Sequence, residues 1–173
     1  IELIEKQKKL VYLMMNLNST SMHSRYSADI SACEAIFKAI GKLERLKFLS
    51  MTVGKFRKNS TNRRLFLLDD ILERLQKLKW LQLKLYGEYL DEVLLLDVAS
   101  EITHMRSLRD VNLMVDVSNI SPKGLQKFKK YVLRMERFDD IDINIVGKKD
   151  QGKEISELKG EIEKIKYRKL CKL

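Results

Sequence analysis

Two histidines, His23 and His104, two cysteines, Cys33 and Cys171, and the adjacent carboxylates Asp69–Asp70 and Asp139–Asp140 are the groups here best suited to chemistry. A metal site would need several of them at fixed spacing, and an acid–base site would need two of them facing one another. Neither histidine has that setting. Both are isolated, and His104 falls in a helical stretch where a solvent or edge position is expected. Adjacent carboxylates on a helix point in different directions, and those ahead of a strand are expected to be solvated. No glycine-rich phosphate loop, nucleophile elbow or histidine-containing zinc motif is present. We therefore expect no catalytic residues, no metal, no cofactor and no small-molecule substrate.

The cysteines are too few for a disulfide framework. Cys33 sits among Ile30, Ala35, Ile36 and Ile40, where a thiol behaves as a small hydrophobe. Free thiols point to an intracellular, reducing setting, with the cytoplasm or a cytoskeletal or ciliary assembly expected and the nucleus left open. The chain has 173 residues, 45% hydrophobic and 34% charged, as a folded domain requires. No apolar run nears the roughly 20 residues that cross a bilayer, and Asp97 interrupts the longest, Val93 to Ala99. The first residue is Ile, so the sequence is expected to be a fragment.

Net charge is +10, unevenly placed. Between Gly41 and Arg64 stand eight basic residues and a single acid, Glu44. Within that stretch Lys55, Arg57, Lys58, Arg63 and Arg64 form a loop candidate for contact with anions or nucleic acid, whose binding would weaken steeply with salt. One ring, Phe56, is thin support for base stacking. A solvated loop is the plainer reading.

These side chains depend on five strand-like segments for their placement. They begin at Leu10, Leu46, Leu78, Leu108 and Phe138, and successive starts lie 36, 32, 30 and 30 residues apart. Each reads apolar-x-x-apolar-x-apolar-x-apolar, which predicts strands near 13–17, 49–53, 81–85, 111–115 and 141–145 with one wet face. Helical spacing fills the gaps, as in Leu65, Leu68, Leu72 and Leu75 or in Leu125, Phe128, Val132 and Met135. Ser121 followed by Pro122 predicts a helix start, and Ser31 with Glu34 a capping box. Strand, helix and strand within about 30 residues form a right-handed crossover with parallel neighbours. Because the strands alternate, all helices must lie on one side of the sheet. The prediction is an α/β solenoid, 1–173, with a curved parallel sheet inside and helices outside.

The segments resemble leucine-rich repeats, specifically the long, helix-containing kind of ribonuclease inhibitor-like proteins, over Leu10 to Ile145. The periods exceed the usual 20 to 29 residues. The asparagine that normally ends the strand stands only at Asn18, and its counterparts are Gly54, Tyr86, Asp116 and Val146. A fourth apolar residue per strand resembles divergent repeats of unicellular eukaryotes. The resemblance implies a horseshoe that binds other proteins; its relatives are common adaptors in ubiquitin ligases, ciliary complexes and signalling.

At the C-terminus, Glu154 to Leu173 is helical by pattern, with Ile155, Leu158, Ile162 and Ile165 on one face. Leu170 and Leu173 also fit the opening of a sixth unit near 170–173. Neither end shows a clear polar cap, so a partner or further sequence is expected to cover one of them.

Alternation places Met14 and Asn16, Ser50 and Thr52, Gln82 and Lys84, Asn112 and Met114, and Asp142 and Asn144 on the concave wall. Ahead of them runs a second column: Tyr12, Phe48, Trp80, Asp110 and Asp140. Rings beside polar groups are favoured interface anchors. A non-catalytic scaffold gripping other protein subunits is the leading expectation. A nucleic-acid-associated subunit using residues 42–64 is the alternative, and an inhibitor that fills an enzyme's site is a third.

Overall fold

The computed structural model describes residues 4, 6–18, 30–54, 68–86, 90–148 and 151–171, without the side chains at 18, 30–34 and 69. Alternation carries five strands of seven residues each: β1 (Tyr12–Asn18), β2 (Phe48–Gly54), β3 (Trp80–Tyr86), β4 (Asp110–Asp116) and β5 (Asp140–Val146). They pair in chain order as one open parallel sheet. Helices α1 (Ile30–Ile40), α2 (Leu68–Arg74), α3 (Glu92–His104) and α4 (Pro122–Arg134) separate the strands, a 3-10 turn (Met135–Arg137) follows α4, and α5 (Gly152–Leu170) comes last.

The register sets like residues of each unit side by side, Leu49 by Leu81, Leu81 by Val111 and Val111 by Ile141. These inward residues share one apolar core with Leu95, Val98 and Ile102 of α3 and with Leu125, Phe128 and Val132 of α4. Burying each such side chain stabilises the fold by about 1.5–3 kcal/mol. The opposite strand face is half-buried or exposed in β3, β4 and β5.

Helix starts follow local chemistry. The Asp91 carboxylate accepts from Leu94 N at 2.9 Å, and Ser121 Oγ accepts from Gly124 N at 2.9 Å. The Ser121 hydroxyl also donates to Glu92 Oε2 at 2.5 Å, tying α4's start to α3. That hydrogen bond holds the Glu92 carboxyl below its ordinary range, with Lys127 adding to the effect. A Cβ at Gly124 would lie 2.5 Å from Glu92 Oε2, so a larger residue there would displace the Glu92 side chain. At the first helix, Ile30 is already helical, so Ser31 lies inside α1 and not ahead of it as an N-cap.

The structure also closes turns in ways the sequence did not announce. Gln151 is buried, and its Nε2 donates to Val117 O at 3.0 Å and to Ile120 O at 2.7 Å, while its Oε1 accepts from Lys148 N at 3.1 Å. It satisfies turn carbonyls of the preceding unit, the kind of work assigned to a strand-ending asparagine. Asp116 does a smaller share, accepting from Ser118 N at 3.0 Å. Arg137 donates to Met105 O at 2.8 Å and Thr103 O at 3.2 Å, so a cation covers the carbonyl end of α3. Its guanidinium lies 4.3 Å from the centre of the Phe138 ring.

The two sides of the sheet are finished differently. Ile155, Leu158, Ile162 and Ile165 of α5 are buried in the core, and charged residues cover its outer surface. Helix α5 thus packs on the convex side beside α4, with a polar outer surface. Leu170 is the last residue of that helix and is 70% exposed, whereas Leu46, Leu78 and Leu108 are buried. It does not take the buried place that opens each unit, and Leu173 lies outside the described residues. At the other side, Leu13, Met15 and Leu17 of β1 are only half-buried, unlike Leu49, Met51 and Val53 of β2.

Candidate functional site

Parallel pairing turns the alternating polar positions into columns across the open face. The first is Tyr12, Phe48, Trp80, Asp110 and Asp140; the second is Met14, Ser50, Gln82, Asn112 and Asp142; the third is Asn16, Thr52, Lys84, Met114 and Asn144. Neighbouring strands stand about 4.8 Å apart, so side chains of one column touch. All twelve residues expected to contact a partner fall in these three columns. A fourth column includes Gly54 and Tyr86, because the apolar alternation runs on through Leu85 and brings Tyr86 out on the open face. The Tyr86 hydroxyl meets Met114 Sδ across one strand boundary.

The columns are not evenly exposed. Tyr12 is 51% and Met14 64% exposed, while Trp80, Gln82 and Lys84 in the middle strand are half-buried among neighbours. Tyr12 and Phe48 have ring centres 6.2 Å apart, tilted by 37°, an ordinary aromatic pair. The rings thus pack along their own column. Ser50 departs from expectation: it is 6% exposed, and its hydroxyl donates to Gln82 Oε1 at 2.7 Å. A short side chain between longer neighbours is covered by them, so Ser50 steadies Gln82 and offers little surface itself.

Charge divides the face. On the β4–β5 side, Asp110 and Asp140 are adjacent in register, with Asp139 just ahead. Partial burial, then the nearby Asp140 and Asp139 charges, raise the Asp110 carboxyl above its ordinary range. Asn112 Nδ2 reaches Asp142 Oδ2 at 3.4 Å, and Lys166 Nζ from α5 binds Asp142 Oδ1 at 3.0 Å.

A further column was missed from the sequence because it precedes the alternating residues. Val11 O accepts from both Lys47 N and Phe48 N, Lys47 O from Lys79 N and Trp80 N, Lys79 O from Arg109 N and Asp110 N, and Arg109 O from Asp139 N and Asp140 N. These paired bonds stack Val11, Lys47, Lys79, Arg109 and Asp139 as a rim at the strand mouths, all of them exposed. Arg109 Nε lies 3.8 Å from Asp139 Oδ2. Lys47 and Lys79 make no ion pair among the described residues. The apolar-x-x-apolar opening of each segment was the available signal: its first x is the rim and its second the ring-and-acid column.

Lys55, Arg57, Lys58, Arg63 and Arg64 lie outside the described residues, as does His23. His104 is the exposed last residue of α3. Among the described residues no group of three or more His, Cys, Asp or Glu could hold a metal, and no helix is long and apolar enough to cross a membrane.

No protein-family model and no curated protein matches this chain. Among solved structures, the tropomodulin C-terminal domain of Caenorhabditis elegans is similar in fold, with a TM-score of 0.57 over 96% of this chain and 90% of that one at 14% identity. Such a likeness supports a leucine-rich-repeat-like arrangement of parallel sheet and helices, and at that identity it extends to fold alone.

Proposed function

We propose that this chain is a non-catalytic protein-binding scaffold, a leucine-rich-repeat arc of the ribonuclease inhibitor-like type that serves as a subunit of a larger intracellular assembly. The observation that carries this reading is the open sheet face, where rings, amides and charges lie in continuous columns with no helix described over them. Half-exposed Tyr12, Phe48 and Trp80 supply anchors of the kind that dominate interfaces, each able to contribute about 2 kcal/mol or more. The absence of any paired ligand or nucleophile motif in the sequence supports a binding role over an enzymatic one. The likeness to the tropomodulin domain is compatible with protein binding and names no partner.

The test is recovery of the native partner by affinity purification, followed by the double change Phe48→Ala with Trp80→Ala. Losing two such anchors weakens capture by more than tenfold, since about 1.4 kcal/mol is a factor of ten. Undiminished capture would remove the open face from the proposal. The basic stretch from Lys42 to Arg64 supports a second reading, a nucleic-acid-associated subunit. In that case Arg57→Glu, Lys58→Glu, Arg63→Glu and Arg64→Glu together abolish retention on an RNA or DNA column.

A further inference from the structure

Taken together, the rim and the first column carry opposite net charge on the two halves of the sheet. Over β2 and β3 they offer Lys47 and Lys79 beside Phe48 and Trp80; over β4 and β5 they offer Asp110 and Asp140. Within the second half, the rim residues Arg109 at β4 and Asp139 at β5 stand 3.8 Å apart and offset one another. What remains is two cations without an ion pair among the described residues, then two carboxylates likewise without one. Every group in the row is exposed or half-buried, so each remains within reach of a partner.

We infer that this row binds a protein segment of two signs, with acidic residues over Lys47 and Lys79, an apolar side chain against Phe48 and Trp80, and basic residues over Asp110 and Asp140. The inference rests on the protein-binding reading above and supplies the partner's chemistry. Uniform polyanions are disfavoured, because a nucleic-acid backbone reaching β4 and β5 would meet Asp110 and Asp140, with Arg109 already offset by Asp139. Like charges brought together in this way are a strong bar to the wrong partner. A polypeptide alone can alternate its sign within this distance. The centres of the cationic and acidic pairs are two strand spacings apart, about 10 Å. Extended chain rises about 3.3 Å per residue, so acid and base should be some three residues apart in the segment. The chain already satisfies one acidic position in this way, since Lys166 brings an ammonium to Asp142 at 3.0 Å.

The experiment uses five fluorescent probes at low ionic strength: a 12-residue peptide with two Glu, a Leu and then two Lys at that separation; the same composition with Glu and Lys alternating; an all-acidic peptide; an all-basic peptide; and a single-stranded 20-mer oligonucleotide. The two-sign peptide binds the native chain at least tenfold tighter than the other four. Reversing one half converts the row instead of destroying it. Lys47→Glu with Lys79→Glu makes the row acidic, and preference passes to an all-basic peptide. Asp110→Lys with Asp140→Lys makes it basic, and preference passes to the all-acidic one. A misfolded variant would bind nothing, so the exchange of preference separates recognition from folding.

Tighter binding of the oligonucleotide or the all-acidic peptide to the native chain would overturn the inference. So would reversals that leave the probe order unchanged. If the Phe48→Ala and Trp80→Ala change releases the native partner while the probe order fails, the face stands and its charge chemistry falls. If neither responds, both readings fall.

Discussion

At the scale of single residues, the groups that hold turns matter most where one buried side chain serves several backbone groups. Gln151 satisfies the carbonyls of Val117 and Ile120 from the following unit. In Gln151→Leu, Val117 O keeps the Ile120 amide as a donor, but Ile120 O and the Lys148 amide lose their Gln151 partner. An unsatisfied buried group costs about 1–3 kcal/mol, so the change, which keeps most of the volume, should destabilise by about that amount. Denaturant unfolding checks it: a lower midpoint at unchanged slope is expected, and an unchanged midpoint would remove the role assigned to this side chain. Asp110 works in the opposite sense. Its carboxyl is raised above the ordinary range by partial burial and by Asp140 and Asp139, so the folded state binds its proton more readily than the unfolded chain does. Its stabilising contribution is present at low pH and lost as pH rises through that raised value. Asp110→Asn should therefore raise the melting temperature at pH 7, with the gain shrinking as pH falls through the carboxylate range. Melting curves at pH 7 and pH 4 decide it; a gain that grows toward acid would reverse the assignment. Glu92 and Glu161, held low by Ser121 and Lys164 respectively, oppose this trend and lose their contribution as pH falls.

At the scale of elements, the strands were legible because four apolar positions at fixed spacing survive in every unit, and parallel register then aligns equivalent residues. Helix α4 was legible for a similar reason, since Ser121, Pro122 and the spacing of Leu125, Phe128 and Val132 agree. The role of α5 was not. A stripe of Ile155, Leu158, Ile162 and Ile165 reads the same whether it closes its own sheet or faces another chain, and periodicity carries no address. Gln151 was illegible because its bonds reach carbonyls 31 and 34 residues away. The burial of Ser50 was illegible because alternation gives direction but not the length of its neighbours. With the apolar face of α5 in the core, Leu158→Ala opens a cavity beside α4 and should cost about 2–5 kcal/mol. For a chain of this size each kcal/mol lowers the melting temperature by roughly 2–4 °C. A change no greater than that of an exposed control such as Tyr167→Ala would mean that α5 is not part of the core.

At the scale of the whole molecule, each unit leans on the next, so local stability should follow how well each unit's inward residues are covered. The inward residues of β3 and β4 are buried between strands on both sides, and β5 is covered by α5. Those of β1, Leu13, Met15 and Leu17, are half-buried, and among the described residues β1 pairs with β2 alone. In stacked units stability is approximately a sum of unit and neighbour contributions, so opening should begin where a neighbour contribution is missing. Native-state amide exchange tests this without any substitution. Backbone amides of β1 should exchange fastest among the five strands, those of β3 and β4 should approach the protection of global unfolding, and β5 should resemble β4. A partner laid across the first column would span β1 to β5 and couple the weakly held strand to the rest, so the difference between β1 and β3 should narrow when the native partner is added. Equal protection of β1 and β3 in the free chain would show that the sheet opens as one cooperative body, and the graded picture would then give way to a single all-or-none transition.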